Sequence, residues 1–146
     1  MTEEDRTPLP FVPPIVGKAV PSAEPLGTVM VVDDDADIRD AVRELLEQEG
    51  YAVITAADGQ EALDELERNP ELDAVLMDLM MPRMDGHEAI RQIRAQERFH
   101  DLPIIAITAK TMQGARERCM AAGASEYVPK PVDIGQLLGL LRTWLA

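Results

Sequence analysis

The feature that most constrains the fold of this chain is a regular alternation of short apolar runs with longer amphipathic stretches between residues 28 and 146. The first run, residues 28–33, is continuous and rich in β-branched residues, which is typical of a strand buried on both faces. Five such runs are each followed by apolar residues at helical spacing. Because short βα connections imply right-handed crossovers, this rhythm predicts a parallel sheet covered by helices on both faces, a doubly wound α/β domain.

Turn and capping residues mark the predicted boundaries. Gly50 and Gly123 stand where a left-handed residue would close a helix. Asp58 precedes Glu61 in the form of a capping box, and Asp133 caps the last helix. The strands are predicted at residues 28–33, 51–56, 73–78, 103–108 and 125–128, and the third and fourth helices at residues 86–97 and 111–122. For five strands the common order is 2-1-3-4-5, with the functional site outside the carboxyl ends of strands one and three.

Residues 1–27 differ in composition from the rest of the chain. They hold six of the eleven prolines, and proline removes backbone donors and disfavours helix and sheet interiors. We therefore expect a linker or flexible tail at residues 1–27 and one folded domain at residues 28–146. The tail carries apolar residues that could dock on a surface: Phe11, Val12, Ile15 and Val16.

Charge and composition narrow the function classes. The formal net charge of −13 argues against direct nucleic-acid binding, which needs clustered Lys and Arg. The single cysteine, Cys119, fits a reducing compartment and is interpreted as a small buried side chain. The chain starts without the basic region of a secretory signal, and no apolar run approaches the ~18 residues that suggest a membrane span. We expect a cytoplasmic protein without membrane insertion.

Polar residues gather at the predicted carboxyl ends of the strands. Asp33 and Asp34 end strand one, Asp78 ends strand three, Thr108 ends strand four and Lys130 follows strand five. The predicted strand order brings the three carboxylates together, and crowded carboxylates need a cation or protons to relieve their repulsion. Oxygen-only ligands favour Mg²⁺, Mn²⁺ or Ca²⁺ over zinc, and an open set of carboxylates is how Mg²⁺ prefers to bind. We expect Mg²⁺.

Lys130 and Thr108 extend this site. A lysine beside carboxylates can simply balance charge, or it can bind the oxygens of an incoming phosphoryl group. With a hydroxyl donor at Thr108, the set has what phosphoryl transfer requires: a cation, a positive side chain, a donor and a carboxylate nucleophile.

Four motifs, in order and spacing, resemble the receiver domains of bacterial two-component response regulators. They are Val31-Val32-Asp33-Asp34-Asp35, the segment from Met77-Asp78 to Asp85-Gly86, Ile107-Thr108-Ala109 and Lys130-Pro131. Each motif alone is weakly specific, but all four together, at the ends of strands one, three, four and five, are highly specific. The resemblance covers roughly residues 28–146 and implies a flavodoxin-like (βα)5 receiver fold.

The resemblance also implies roles for individual residues. Asp78 is the phosphoacceptor, Asp34 and Asp78 bind Mg²⁺, Asp33 acts through a water on the ion, and Met80 offers its backbone carbonyl. Lys130 pairs with the phosphoryl group, Thr108 moves toward it, and Tyr127 is the switch aromatic, or else simply a half-buried strand tyrosine. Met80 and Lys110 occupy the positions that influence the lifetime of the phosphoryl group.

The implied function is phosphorelay signalling. The donor is a phosphohistidine of a sensor histidine kinase or a histidine phosphotransfer protein, and the changing partner surface is formed by about residues 111–146. The segments 101–110 and 130–138 are most similar to the C-terminal receivers of hybrid sensor histidine kinases, although a stand-alone receiver would show the same signals. The domain is expected to be a phosphorylated signalling domain and not an enzyme beyond slow self-dephosphorylation.

Four alternatives are weighed against this interpretation. Asp33, Asp35 and Asp37 with Glu44 resemble a calcium loop, but Ile38 stands where that loop needs glycine. A haloacid-dehalogenase-type phosphatase would also use an aspartyl phosphate after strand one, but it needs Asp-x-Asp followed by Thr or Val and a longer chain for its cap and second acid motif. A receiver fold could also act as a phosphorylation-independent interaction module, or relay its phosphoryl group to a histidine phosphotransfer protein. We interpret the histidines and the arginine stripe as surface: His87, His100, Arg91, Arg94 and Arg98.

Overall fold

The structure is a computed structural model that describes residues 25–79, 86–109 and 114–145. Its centre is a five-stranded parallel sheet with the strand order β2-β1-β3-β4-β5. The strands are β1 (Thr28–Val32), β2 (Ala52–Ala56), β3 (Ala74–Asp78), β4 (Ile104–Ala109) and β5 (Glu126–Lys130). The doubly wound α/β fold with order 2-1-3-4-5 is therefore confirmed.

Five α-helices alternate with these strands. They are α1 (Ala36–Gln48), α2 (Gly59–Arg68), α3 (Gly86–Arg94), α4 (Ala115–Ala122) and α5 (Ile134–Leu145), and a 3-10 turn lies at Glu97–Phe99. No helix in the described ranges is long and apolar enough to span a membrane.

The two faces of the sheet bury separate cores. Along β1, Met30 and Val32 face the core that contains α2, α3 and α4, whereas Val29 and Val31 face the core that contains α1 and α5. All four side chains are buried, as the continuous apolar run predicted for a central strand. The central strands β1 and β3 therefore hold their polar carboxyl ends against a rigid, closely packed layer.

The predicted caps are present. Gly50 and Gly123 adopt φ values of 103° and 121°, the left-handed region that closes a helix. The Asp58 carboxylate accepts a hydrogen bond from Glu61 N at 2.8 Å, while Glu61 bonds back to Ala57 N at 2.7 Å instead of to the cap residue. Asp133 accepts from Gln136 N at 3.0 Å at the start of α5.

Four boundary or burial predictions need correction. Strand β5 runs to Lys130, two residues beyond the predicted end, because it stays paired with β4 up to Ala109. Helix α3 ends at Arg94, three residues before the predicted end, and a 3-10 turn begins at Glu97. Ile38 and Leu45, counted in the apolar face of α1, are exposed. Residues 111–113 of the predicted fourth helix lie outside the described residues, as does most of the tail, so the domain boundary at Thr28 stays a prediction.

Candidate functional site

Three carboxylates converge at the carboxyl edge of the sheet. One oxygen from each of Asp33, Asp34 and Asp78 lies within 4.8 Å of the others. Asp33 and Asp34 follow β1 directly, and Asp78 is the last residue of the neighbouring strand β3. Asp33 and Asp78 are buried, with 6% and 1% exposure, while Asp34 is exposed to solvent. The predicted acidic cluster is thus present, with two deep carboxylates and one at its mouth.

Lys130 reaches this cluster from the far side of β4. Its Nζ lies 3.2 Å from Asp78 Oδ1, and its side chain is one third exposed. Thr108 lies near the end of β4, the strand between them, and is 1% exposed. The five residues predicted for the site therefore occupy neighbouring strand ends, with the lysine already paired to the buried carboxylate.

The electrostatics of the cluster show in the pKa of Asp33. Burial is the main cause that raises this pKa, and the carboxylates of Asp78 and Asp34 raise it further. The backbone N–H of Asp35, which donates to Asp33 Oδ1 at 2.9 Å, and the charge of Lys130 act in the opposite direction. Because the pKa of Asp33 is raised overall, the negative charge of the cluster is only partly compensated by these two groups.

The chemistry of the donor set fits a hard divalent cation. All three side chains offer oxygen, two of them are withdrawn from water, and the raised pKa of Asp33 marks repulsion that a cation would relieve. Mg²⁺ also keeps several waters and needs only a few carboxylates, which suits a cluster with one exposed member. Met80, whose backbone carbonyl was predicted as a further ligand, lies outside the described residues, and so does Lys110.

The remaining predicted residues are placed as follows. Tyr127 lies on β5 and packs, half-buried, against the α2–α3–α4 core, so both interpretations of this residue stay open. Asp35 does not belong to a calcium loop: it is the N-cap of α1 and accepts from Asp37 N and Ile38 N at 2.9 and 3.3 Å. Glu44 lies on the same helix, exposed.

Two residues that support the site were missed. Arg39, in the first turns of α1, donates to the backbone carbonyl of Asp33 at 2.7 Å and holds the acidic turn in place. Gly86, the first residue of α3, lies so close to the end of β3 that an added Cβ would stand 2.7 Å from Asp78 O. The Asp85-Gly86 pair was part of a recognised motif, but nothing in the local sequence set Arg39 apart from other helix arginines.

Of the residues predicted to lie on the surface, some are exposed and others are partly buried. His100 is exposed and lies 3.1 Å from Asp101, whereas His87 is half-buried. The prediction for Arg94 was wrong: its guanidinium turns inward and donates to Gly123 O at 2.8 Å, Phe99 O at 2.8 Å and Ser125 Oγ at 3.1 Å. Cys119 is fully buried, as expected.

Comparison with known proteins agrees with this geometry. Residues 29–142 match the family described as the response regulator receiver domain. The chain is 44% identical over 117 residues to the response regulator MprA of Mycobacterium sp. (strain KMS), an alignment that covers 80% of this chain. The chain spans about half the length of such curated relatives.

Solved structures show the same fold. The receiver domain of the sensor histidine kinase PA1611 from Pseudomonas aeruginosa PAO1, with a magnesium ion coordinated in its active site cleft, superposes with a TM-score of 0.75 at 39% identity, over 82% of this chain and 97% of that one. The chemotaxis protein CheY4 of Vibrio cholerae gives a TM-score of 0.75 at 34% identity, over 83% and 98% of the two chains.

Proposed function

The chain belongs to the response-regulator receiver domain family, whose members act as phosphoacceptors in two-component signalling, and we propose that Asp78 is the acceptor in this protein. The observation that carries the proposal is the pairing of a buried Asp78 with Lys130 beside two further carboxylates. Of the three carboxylates, Asp78 alone has this contact with Lys130 among the described ion pairs. Asp78 is therefore the carboxylate that the Lys130 ammonium contacts.

The transfer itself needs a defined exchange of bonds. An oxygen of the Asp78 carboxylate attacks the phosphorus of a phosphohistidine, an O–P bond forms and the P–N bond breaks. The imidazole leaves with the electron pair and takes up a proton from solvent. Asp78 is nine-tenths or more withdrawn from water, which limits competing hydration of the nucleophile.

Negative charge must be offset for this attack to occur. Mg²⁺ held by Asp33, Asp34 and Asp78 would supply charge neutralisation and alignment of the phosphoryl oxygens. Lys130 would exchange part of its contact with Asp78 for one with a phosphoryl oxygen, at the same edge of the sheet. Thr108, on the strand between them, would donate its hydroxyl to another oxygen.

The switch follows from the added charge. An acyl phosphate on Asp78 adds negative charge and acceptor oxygens, and the Thr108 hydroxyl and Lys130 then change their partners. Thr108 pairs with Pro129 and Ala106 pairs with Tyr127 between β4 and β5, so a shift at Thr108 reaches the strand that carries Tyr127 directly. We assign Tyr127 the role of switch aromatic and the surface around α4, β5 and α5 that of the partner-binding face.

The partners and setting belong to the same proposal. The donor is a sensor histidine kinase or a histidine phosphotransfer protein, in the cytoplasm, and the domain is a signalling domain whose only turnover is slow hydrolysis of its own acyl phosphate. The likeness to the PA1611 receiver domain supports an origin in a hybrid histidine kinase. Residues 1–27 would then form an interdomain linker.

The test is intact mass after incubation with acetyl phosphate and Mg²⁺. We expect wild type to gain one phosphoryl group, and expect no gain with EDTA or in Asp78→Asn. Asp64→Asn is the matched control, since Asp64 is an exposed carboxylate on α2 that accepts a hydrogen bond from Gln60 and lies outside the acidic cluster, and this variant should be phosphorylated like wild type. If wild type gained no mass even from a phosphohistidine donor, the protein would be a phosphorylation-independent interaction module.

A further inference from the structure

The structure has a groove at the amino edge of the sheet, on the side opposite the acidic cluster. It encloses about 470 Å³, within the range of about 300–1,000 Å³ that holds drug-sized ligands. It lies between the starts of β3 and β4, the 3-10 turn and the end of α5. We call it the amino-edge groove; its walls include Leu26, Leu72, Phe99, Leu102, Trp144 and Leu145.

Two of these walls are unusually exposed for apolar residues. Leu26 is 62% and Trp144 40% exposed, although both lie against a concave surface. The edge of the Trp144 indole is fixed by a hydrogen bond, in which Nε1 donates to Glu126 at 3.3 Å. An exposed indole in a groove is a typical recognition feature, because its large face contributes contact area at low conformational cost.

The position of Leu26 indicates which part of the chain can reach the groove. Leu26 N donates to Gly50 O at 2.9 Å, so the chain is tied to the domain at the rim of the groove. Everything upstream therefore leaves from this point. Residues 17–24 separate the apolar segment 11–16 from Pro25, and eight extended residues at about 3.3 Å each reach well across the groove.

The upstream segment also has matching chemistry. Residues 11–16 read Phe-Val-Pro-Pro-Ile-Val, and proline-rich segments with apolar side chains dock against exposed aromatic side chains with little loss of chain entropy. Trp144 offers such a surface in this groove, whereas Phe99 is buried beneath it. The groove carries three carboxylates, Asp73, Glu97 and Asp101, against one arginine. Between residues 11 and 23 the chain has one charged residue, Lys18, and it is positive.

From this juxtaposition we propose that residues 11–16 dock in the amino-edge groove of the same chain, with Phe11 against Trp144 and Lys18 toward the acidic rim. Covalent linkage favours this occupant, because a short tether gives an effective concentration of the order of millimolar, above that of most competing partners. The tail then becomes part of the domain surface opposite the phosphorylation site, and the proposal does not depend on phosphorylation.

The experiment uses the full chain and its only tryptophan as the probe. We compare wild type with the double variant Phe11→Ser, Ile15→Ser and with the matched control Pro8→Ser, Val20→Ser, which makes two similar changes outside the segment. In wild type and control we expect NOEs between the Phe11 ring and the Trp144 indole. In the double variant we expect acrylamide quenching of Trp144 to rise about twofold, because the indole loses its cover.

A substitution in the lining of the groove provides a second test of the proposal. Asp101 has a side chain that is 99% exposed, so Asp101→Lys changes the rim charge without disturbing packing. It should raise Trp144 quenching, whereas Asp64→Lys, the same change on α2, should not. Equal quenching in all variants together with no Phe11–Trp144 NOE would overturn the proposal. Protection of Trp144 that grows with protein concentration would also overturn it, in favour of a second copy as the occupant.

Discussion

Lys130 Nζ lies 3.2 Å from Asp78 Oδ1, and this contact joins the ends of β5 and β3, two strands that β4 separates. The lysine side chain therefore passes over the carboxyl end of β4, where Thr108 lies. This ion pair thus spans the site from β5 to β3, and both of its members lie at the edge of the sheet where phosphate would enter. A substitution of either residue should therefore alter the electrostatics of the whole site.

Lys130→Gln should separate the two uses of this lysine. Removing the cation should slow acetyl-phosphate labelling by roughly a hundredfold, since a donor aimed at developing charge is lost. The same change should tighten Mg²⁺ binding, because the ion no longer competes with an ammonium for Asp78. Intact mass and calorimetric Mg²⁺ titration measure the two effects. Arg68→Gln, which removes an exposed cation on α2, should change neither; labelling of Lys130→Gln at the wild-type rate would contradict the assigned role.

Asp33→Asn should change how stability depends on pH. Burial and the neighbouring carboxylates raise the pKa of Asp33 above its ordinary 3.8, so the folded state binds this proton more tightly than the unfolded state. The metal-free protein is therefore penalised at neutral pH, and the penalty disappears as pH falls through the raised pKa.

In EDTA at neutral pH, urea unfolding should show Asp33→Asn to be more stable than wild type, with the difference shrinking on acidification. The amide keeps the oxygen that accepts from Asp35 N. Asp40→Asn, at an exposed carboxylate on α1, should follow wild type at every pH. A variant less stable than wild type at neutral pH would show that the carboxylate is compensated in a way the structure does not indicate.

Gly86→Ala should loosen the junction between β3 and α3. A Cβ there would stand 2.6 Å from Leu79 Cδ2 and 2.7 Å from Asp78 O, and the backbone atom cannot yield as a side chain can. We expect a loss of about 1–3 kcal/mol in the free energy of unfolding and weaker Mg²⁺ binding.

Gly139→Ala is the matched change. Gly139 lies inside α5 with nothing within 4 Å of the added Cβ, so alanine should stabilise the protein by about 1 kcal/mol through helix propensity. Chemical denaturation measures both variants. Equal effects at the two glycines would refute the close approach at Gly86.

Arg94→Met should destabilise the protein although it removes no ion pair that the structure describes. The guanidinium bonds to Gly123 O, Phe99 O and Ser125 Oγ, and burial lowers its pKa. Losing these partners should cost about 2–3 kcal/mol in the free energy of unfolding. Arg91→Met, on the exposed face of the same helix, should stay within about 0.5 kcal/mol of wild type. A smaller loss of unfolding free energy for Arg94→Met than for Arg91→Met would show that the three hydrogen bonds of Arg94 contribute little to stability.

The sequence by itself determined the fold and most of the site. Apolar periodicity distinguishes strands from helices, short βα connections restrict the handedness, and the strand order then brings Asp33, Asp34 and Asp78 to one edge. These are local signals combined with a topological rule, so they survive without coordinates. The caps at Asp58, Gly123 and Asp133 were readable for the same reason.

Tertiary structure alone decided what depends on distant neighbours. Arg91 and Arg94 look alike in sequence, yet one is exposed and the other reaches carbonyls 5 and 29 residues away. The contact of Lys130 with Asp78, the close approach at Gly86 and the groove beside Trp144 likewise arise where separate segments meet. Packing between segments far apart in sequence leaves no periodic pattern in either one, which is why these features appear only in the folded molecule.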